Sequence, residues 1–317
     1  MGTPHAILIA GPTASGKSAL AVALAERFGG TVINADSMQV YSELRILTAR
    51  PGPADEARVP HRLYGHVPAA EAYSAGRYVR EAAAAIAEAR TDGRVPILVG
   101  GTGLYFKALL EGLAPLPPVD PAVRARWRGE AEACGAAALH AVLAGRDAAM
   151  AARLAPGDTQ RIVRALEVLD STGRSLADWQ RVRGEPVLRE AVTVRLVLAP
   201  PREVLTARVE ARFTAMVAGG ALDEVARLRR LGLDPALPAL RAVGVPPLVR
   251  LLAGEIDRAT AIAAGQGDTR RYLKRQMTWL RGHMMSWNSI FEQYMETQIA
   301  IASNLFEIGV DLSDGPA

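Results

Sequence analysis

The chain has 317 residues, half of them hydrophobic, with one cysteine and a formal net charge of +4, enough apolar mass to bury a core in one large domain or two small ones. No stretch approaches the roughly 18 apolar residues of a membrane span, and no signal peptide precedes the first apolar run, so a soluble globular enzyme in the cytoplasm is expected. The single cysteine, Cys134, excludes an intrachain disulfide and a cysteine metal cluster.

The first apolar run, Ala6–Ala10, predicts a strand. Directly after it stand Gly11, Pro12, Thr13, Ala14, Ser15, Gly16, Lys17 and Ser18, the P-loop pattern GxxxxGK[ST], and then an amphipathic helix over 19–28. Apolar runs at 31–35 and 95–99 predict two more strands with helices between and after, the alternation of a parallel sheet. Pro115, Pro117, Pro118 and Pro121 then open a stretch rich in Ala, Arg and Glu with no clear strand before Val192. That stretch predicts an inserted helical subdomain, with Cys134 a small buried residue on an alanine-rich helix. Residues 192–199 restore a buried strand, Pro200 and Pro201 stop it, and helices follow at 203–217 and 258–281. Beyond them Ile290, Phe291, Tyr294, Met295, Gln298, Ala302, Leu305 and Phe306 recur near i, i+4, which fits an amphipathic helix packed on the body or a loosely attached extension. The expected fold class is α/β: a P-loop NTPase-like parallel-sheet core at 1–114 and 191–282, a helical insertion at 115–190, and a tail at 283–317.

Charge is unevenly spread. Residues 1–112 and 113–190 each carry 11 Lys+Arg against 10 Asp+Glu, whereas 191–282 carry 15 against 8 and 283–317 carry none against 5. The basic surplus therefore sits in one segment, which suits an anionic polymer. With only Lys17, Lys107 and Lys274 as lysines, arginine-rich coding is the competing explanation.

The P-loop calls for a phosphate compound. Its glycines let backbone N–H groups converge on an anion, Lys17 adds a point charge, Ser18 offers a hydroxyl to Mg²⁺, and the following helix turns its positive end to the same place. The second strand runs out into Asn34-Ala35-Asp36-Ser37-Met38-Gln39-Val40-Tyr41. A carboxylate at that strand end lies at the ligand crevice of an open α/β sheet, where Asp36 could bind Mg²⁺, activate a nucleophile or cap a turn. Gly100-Gly101-Thr102-Gly103 closes the third strand in the same manner and brings Thr102 to that crevice.

Further segments give the reading a family. GPTASGKSALA, NADSMQVY with TARP following, YSAGRYV, PILVGGTGLYFKALLEGL, QRIVRALEVLDSTG and TRRYLKRQMTWLR, spread in order over about residues 6–281, resemble the tRNA dimethylallyltransferases, also called tRNA isopentenyltransferases. The resemblance implies transfer of a dimethylallyl group from dimethylallyl pyrophosphate to N6 of the adenosine 3′-adjacent to the anticodon, in tRNAs reading codons that begin with U. It implies Mg²⁺ as cofactor, the tRNA anticodon stem-loop as partner, no membrane, and a monomer.

Carried over residue by residue, the resemblance makes Asp36 the base that takes the adenine proton and sets Thr102 near the bridging oxygen of the pyrophosphate. Arg212, in ARFTAMV, joins the P-loop on that pyrophosphate. Asp36, Ser37, Met38, Gln39 and Thr102 hold the extruded base region. Arg124, Gln160, Arg161, Ile162, Val163 and Arg164 touch RNA from the insertion, and so do Arg241, Gly244, Lys274, Arg275, Gln276, Thr278, Trp279 and Arg281 from the basic segment. From the residues alone, Arg161 and Arg164 share one helix face suited to phosphates or simply to solvent, and Trp279 suits base stacking or a core anchor. The sequence departs from the family pattern at Val245-Pro246 after Gly244, where one RNA contact is expected to be lost. It departs also at Pro60-His61-Arg62-Leu63 and in the tail. Two other readings stay open: prenylation of a free adenine nucleotide, and a small-molecule kinase in which Asp36 activates a hydroxyl.

Overall fold

The computed structural model of the chain describes residues 6–313 apart from 183, 190, 191 and 293, and for 309–313 the backbone alone. The chain forms two compact units, one built from residues 1–110 and 187–317 and the other from 111–186.

The larger unit is organised by six parallel strands: β1 (Ala6–Ala10), β2 (Gly30–Asn34), β3 (His61–Arg62), β4 (Val95–Gly100), β5 (Thr193–Leu198) and β6 (Asn288–Ile290). Their order across the sheet is β3-β2-β4-β1-β5-β6. Strand β1 lies inside, with Ala10 level with Gly100 on one side and Val197 on the other. Side chains alternate between the faces of a strand, and here both faces are covered. Leu8, Ile33 and Leu98 pack under α3 (Ala75–Thr91) and α4 (Gly103–Glu111), while Ile7, Ile9, Val32 and Ile97 pack under α1 (Lys17–Phe28), with Val59 at the end of α2 (Pro53–Arg58) in the same cluster. Burial on both sides is why these strands read as continuous apolar runs. A third apolar cluster joins Val40, Tyr41 and Leu44 to α9 (Arg202–Ala218), α10 (Ala221–Arg230), α11 (Val245–Leu252) and α12 (Arg258–His283).

Strands β3 and β6 were not expected. They are two and three residues long at the two edges of the sheet, and their mixed, partly exposed residues show neither an apolar run nor sustained alternation. The tail is built in: after β6 comes α13 (Met295–Ser313), whose Phe306 ring lies 4.5 Å from that of Phe28 on α1 and whose Glu307 pairs with Arg27 at 3.1 Å. The expected apolar stripe is thus divided between a strand and a helix. Ile290, Gln298, Ala302 and Phe306 are buried, whereas Phe291 and Tyr294, in the connection, are exposed.

The smaller unit is helical, with α5 (Pro121–Arg146), α6 (Ala148–Ala151), α7 (Thr159–Thr172) and α8 (Leu176–Trp179) around Trp127, Leu139, Leu143, Ile162 and Leu166. The Trp127 indole N–H donates to Asp170 at 2.8 Å, and Arg126 and Arg146 close on the same carboxylate. Cys134 is exposed, against expectation. It precedes Gly135, where φ of +76° breaks the helix, and the buried face of α5 is carried by Trp127, Leu139 and Leu143.

Candidate active site

The loop after β1 turns through Ala14 and Gly16, both at positive φ, and delivers the chain into α1. Gly11 is required by crowding: a Cβ there would lie 2.7 Å from Ser15 Oγ and 3.1 Å from the Leu198 carbonyl. The Ser15 hydroxyl is buried. Thr13 N–H donates to Gln276 Oε1 at 2.9 Å, and Lys17 Nζ donates to the Pro12 carbonyl at 3.2 Å. Arg212, from α9, donates to Thr13 Oγ1. Ala14 packs against the cluster of Leu205, Val209 and Leu273, so α9 and α12 lie against the loop. Ser18 is exposed on the first turn of α1.

The ends of β2 and β4 close on each other beside this loop. A Cβ on Gly100 would meet the Ala35 carbonyl oxygen at 2.0 Å, so only glycine permits the approach. Thr102 N–H donates to the Ala35 carbonyl at 3.2 Å, and Thr102 Oγ1 accepts from Ser37 N–H at 2.9 Å. Asn34, fully buried, donates through Nδ2 to the Asp36 and Leu63 carbonyls and accepts the Asp36 N–H at 2.8 Å. Asp36 Oδ1 accepts the Met38 N–H at 2.9 Å, an Asx-type turn. Its Oδ2 faces Gly101, 3.3 Å from where a Cβ would stand.

These groups feel one another. Burial pushes the Lys17 ammonium down from its usual 10.5 to about 8; Asp36 opposes the fall and Arg212 adds to it. Burial also lowers Arg212, again opposed by Asp36. Tyr64, Tyr105 and Tyr272 are raised by burial and then by the charge of Asp36, which keeps their hydroxyls neutral. One carboxylate, one ammonium and one guanidinium are thus electrostatically coupled at the C-terminal strand ends.

Of the remaining expected residues, Met38 and Gln39 are half-buried, and the Gln39 amide is fixed to the Thr48 and Ala49 carbonyls at 2.8 and 3.2 Å. Lys274, Arg275, Thr278 and Arg281 are exposed on α12, and Arg241 is exposed at the end of a 3-10 turn, Pro238–Arg241. Arg241 and Arg275 line one cleft together with Arg271. Gly244 is buried, with φ of +91°, and a Cβ there would lie 2.7 Å from the Phe213 ring; it starts α11, with Val245 buried and Pro246 exposed on the first turn.

Within the smaller unit, Arg124 and Arg164 both approach Glu167, at 3.9 and 3.4 Å, while Gln160 and Arg161 are exposed. Other expected RNA contacts are wholly or partly buried. Ile162 and Val163 are 0% and 8% exposed, on the core side of α7. Gln276 is 6% exposed with both ends of its amide engaged inside the protein. Trp279 is half-buried: it stacks on His283 at 4.4 Å, and a Cβ on Gly103 would overlap its ring. Sequence reasoning missed Asn34 and Glu224. Asn34 had a faint signal, a polar residue ending an apolar strand beside the acid; Glu224 had none, because its partners lie at 45–47.

The IPP transferase family model matches residues 39–283, and the Isopentenyl transferase model matches residues 4–67. A tRNA dimethylallyltransferase of Azorhizobium caulinodans is 58% identical over 284 residues, covering 90% of this chain and 91% of that protein. One from Nitrobacter hamburgensis is 56% identical over 94% of each chain. Among solved structures, a tRNA isopentenylpyrophosphate transferase from Bacillus halodurans matches with a TM-score of 0.68 at 30% identity, over 97% of this chain and 98% of that one. A eukaryotic dimethylallyltransferase solved acting on tRNA matches with a TM-score of 0.77 at 26% identity, over 96% of this chain and 79% of that one. With its P-loop core, its helical insertion and these relatives over nearly its full length, the chain belongs to the IPP transferase family, the tRNA dimethylallyltransferases.

Proposed function

We propose that this enzyme transfers the dimethylallyl group of dimethylallyl pyrophosphate to N6 of the adenosine 3′-adjacent to the anticodon, in tRNAs reading codons that begin with U. The observation carrying the site assignment is the meeting of Asp36, Lys17 and Arg212 at the strand ends, with Arg212 tied to the P-loop through Thr13. Pyrophosphate occupies the P-loop. The bond between the allylic carbon and the pyrophosphate oxygen breaks as the adenine nitrogen bonds to that carbon, and the charge growing on the departing oxygens is met by Lys17, Arg212 and Thr102. Asp36 takes the proton that the amine sheds.

Mg²⁺ fits this seat. It needs only one or two protein oxygens besides phosphate oxygens and water, and Ser18 presents such an oxygen beside Lys17; when bound, the ion neutralises charge on the pyrophosphate. The adenosine leaves its stack to reach the strand ends, which is easier from a loop than from a paired stem. Lys274, Arg275, Arg281 and Arg241, with Arg124, Gln160, Arg161 and Arg164, are assigned to the RNA backbone. The reading takes the enzyme as a cytoplasmic monomer.

Incubation with Mg²⁺, labelled dimethylallyl pyrophosphate and either unmodified tRNA, AMP or no acceptor tests the assignment. Label is expected in tRNA alone; label in AMP alone would establish the free-nucleotide reading instead. Asp36→Asn is expected to lower transfer by roughly 10²–10⁴-fold while tRNA affinity holds, and a fully active variant would remove Asp36 as the base.

A further inference from the structure

Gln276 is the one residue of the KRQMTWLR segment whose polar atoms are spent wholly within the protein around the phosphate seat. Its Oε1 accepts the Thr13 N–H at 2.9 Å, and its Nε2 donates to the Gly101 carbonyl at 3.1 Å. Thr13 lies just beyond β1 and Gly101 just beyond β4, two neighbouring strands. Thr13 also carries the bond from Arg212, and Gly101 precedes Thr102. A Cβ on Gly101 would stand 2.1 Å from Gln276 Nε2 and 3.3 Å from Asp36 Oδ2, so the amide and the carboxylate both border the glycine. One turn along α12, Trp279 covers Gly103 in the same way.

We propose that Gln276 is a positioning residue that holds the P-loop and the Gly101-Thr102 strand end at a fixed spacing, and that it is not a contact to RNA. The assignment rests on the reading of the site as a pyrophosphate seat next to a base. Only a side chain with an acceptor and a donor on one rigid group serves both partners at once. Glutamate cannot donate to the Gly101 carbonyl and adds negative charge to an anion site; methionine fills the space and bonds to neither. Losing the clamp leaves the Thr13 N–H without its acceptor and frees the P-loop, to which Arg212 is bonded, and the strand end bearing Thr102 to move independently. Misplacement by about 1 Å is enough to reduce a rate roughly 10²-fold. RNA affinity resides instead in the exposed neighbours Lys274 and Arg275, on another face of the same helix.

The test compares the full chain with Gln276→Met and Gln276→Glu, measuring kcat at saturating tRNA, KM for dimethylallyl pyrophosphate, and direct tRNA binding. Expected is a fall in kcat of roughly 10–100-fold, steeper for Gln276→Glu, with tRNA affinity within about twofold of the parent; retained affinity also shows that the variants fold. Any other combination in Gln276→Met, such as kcat kept within about fivefold or tRNA affinity lost as far as kcat, overturns the assignment. The parent separates the two levels of inference: a parent that fails to prenylate tRNA defeats the functional reading and this assignment with it, whereas an active parent isolates Gln276.

Discussion

Lys17 holds its charge near the limit of the physiological range. Burial draws its pKa to about 8, with Asp36 opposing and Arg212 reinforcing the shift. The unfolded chain keeps this proton up to about 10.5, so between about pH 8 and 10.5 the unfolded state binds more protons than the folded one, and Lys17 contributes a stability that rises with pH in that window. On the proposed role of Lys17, activity runs the other way, because a neutral amine no longer attracts the pyrophosphate. The donor kcat/KM is therefore expected to fall above about pH 8, approaching tenfold per unit, while Lys17→Arg, always cationic, follows a flat profile from a lower baseline. Initial rates from pH 6.5 to 10 check this, and a parent profile level through pH 9.5 would refute it. Bound pyrophosphate restores the cation, so binding at pH 8.5 should take up protons, visible as heats that change with buffer.

At the scale of elements, the connection after β2 is held in shape by a residue far along the chain. Glu224, on α10 and 2% exposed, accepts the N–H groups of Arg45 and Ile46 at 2.8 Å each and of Leu47 at 3.0 Å. The loop it fixes carries Thr48 and Ala49, whose carbonyls anchor Gln39 next to the proposed base site. Glu224→Gln turns one acceptor oxygen into a donor facing backbone donors. It is expected to lose about 2 kcal/mol of stability, read from urea unfolding, with faster amide exchange at 45–47; unchanged exchange there would show that the carboxylate is dispensable.

The contrast between this loop and the P-loop indicates what could be read from the chain alone. Eight consecutive residues sufficed for the P-loop because its chemistry is local. The apolar runs at β1, β2, β4 and β5 were legible because a sheet covered on both faces imposes them. Glu224, Gln276 and the short edge strands were not, since each owes its place to partners far away in sequence: 263 residues separate Gln276 from Thr13. The burial of Ile162 and Val163 was not legible either, because a family motif names a helix, while the 3.6-residue turn decides which of its residues face the core.

Across the whole molecule, the acidic tail is part of the larger unit's core. Phe306 is 5% exposed in the same cluster as Ile7, Leu24 and Leu198. Gln298, 2% exposed, holds the entry to α13 by donating to the Glu292 carbonyl at 2.7 Å. Phe306→Ala is expected to destabilise the protein by about 3 kcal/mol, measured by equilibrium denaturation, although the ring lies outside the reacting groups. A change below about 1 kcal/mol would show the tail to be dispensable to the core.

The sheet order also sets a timetable for synthesis. Strand β1 finds β4 within the first hundred residues, but its other neighbour pairs Ala6 with Thr193. At about 5–20 residues per second, the apolar edge of β1 is left open on the ribosome for roughly 10–40 s. The contiguous unit at 111–186 can complete its own core in that interval. An open edge is a template for misplaced pairing, so the nascent chain passes its most aggregation-prone moment after the phosphate loop is made and before the strand that shields it exists.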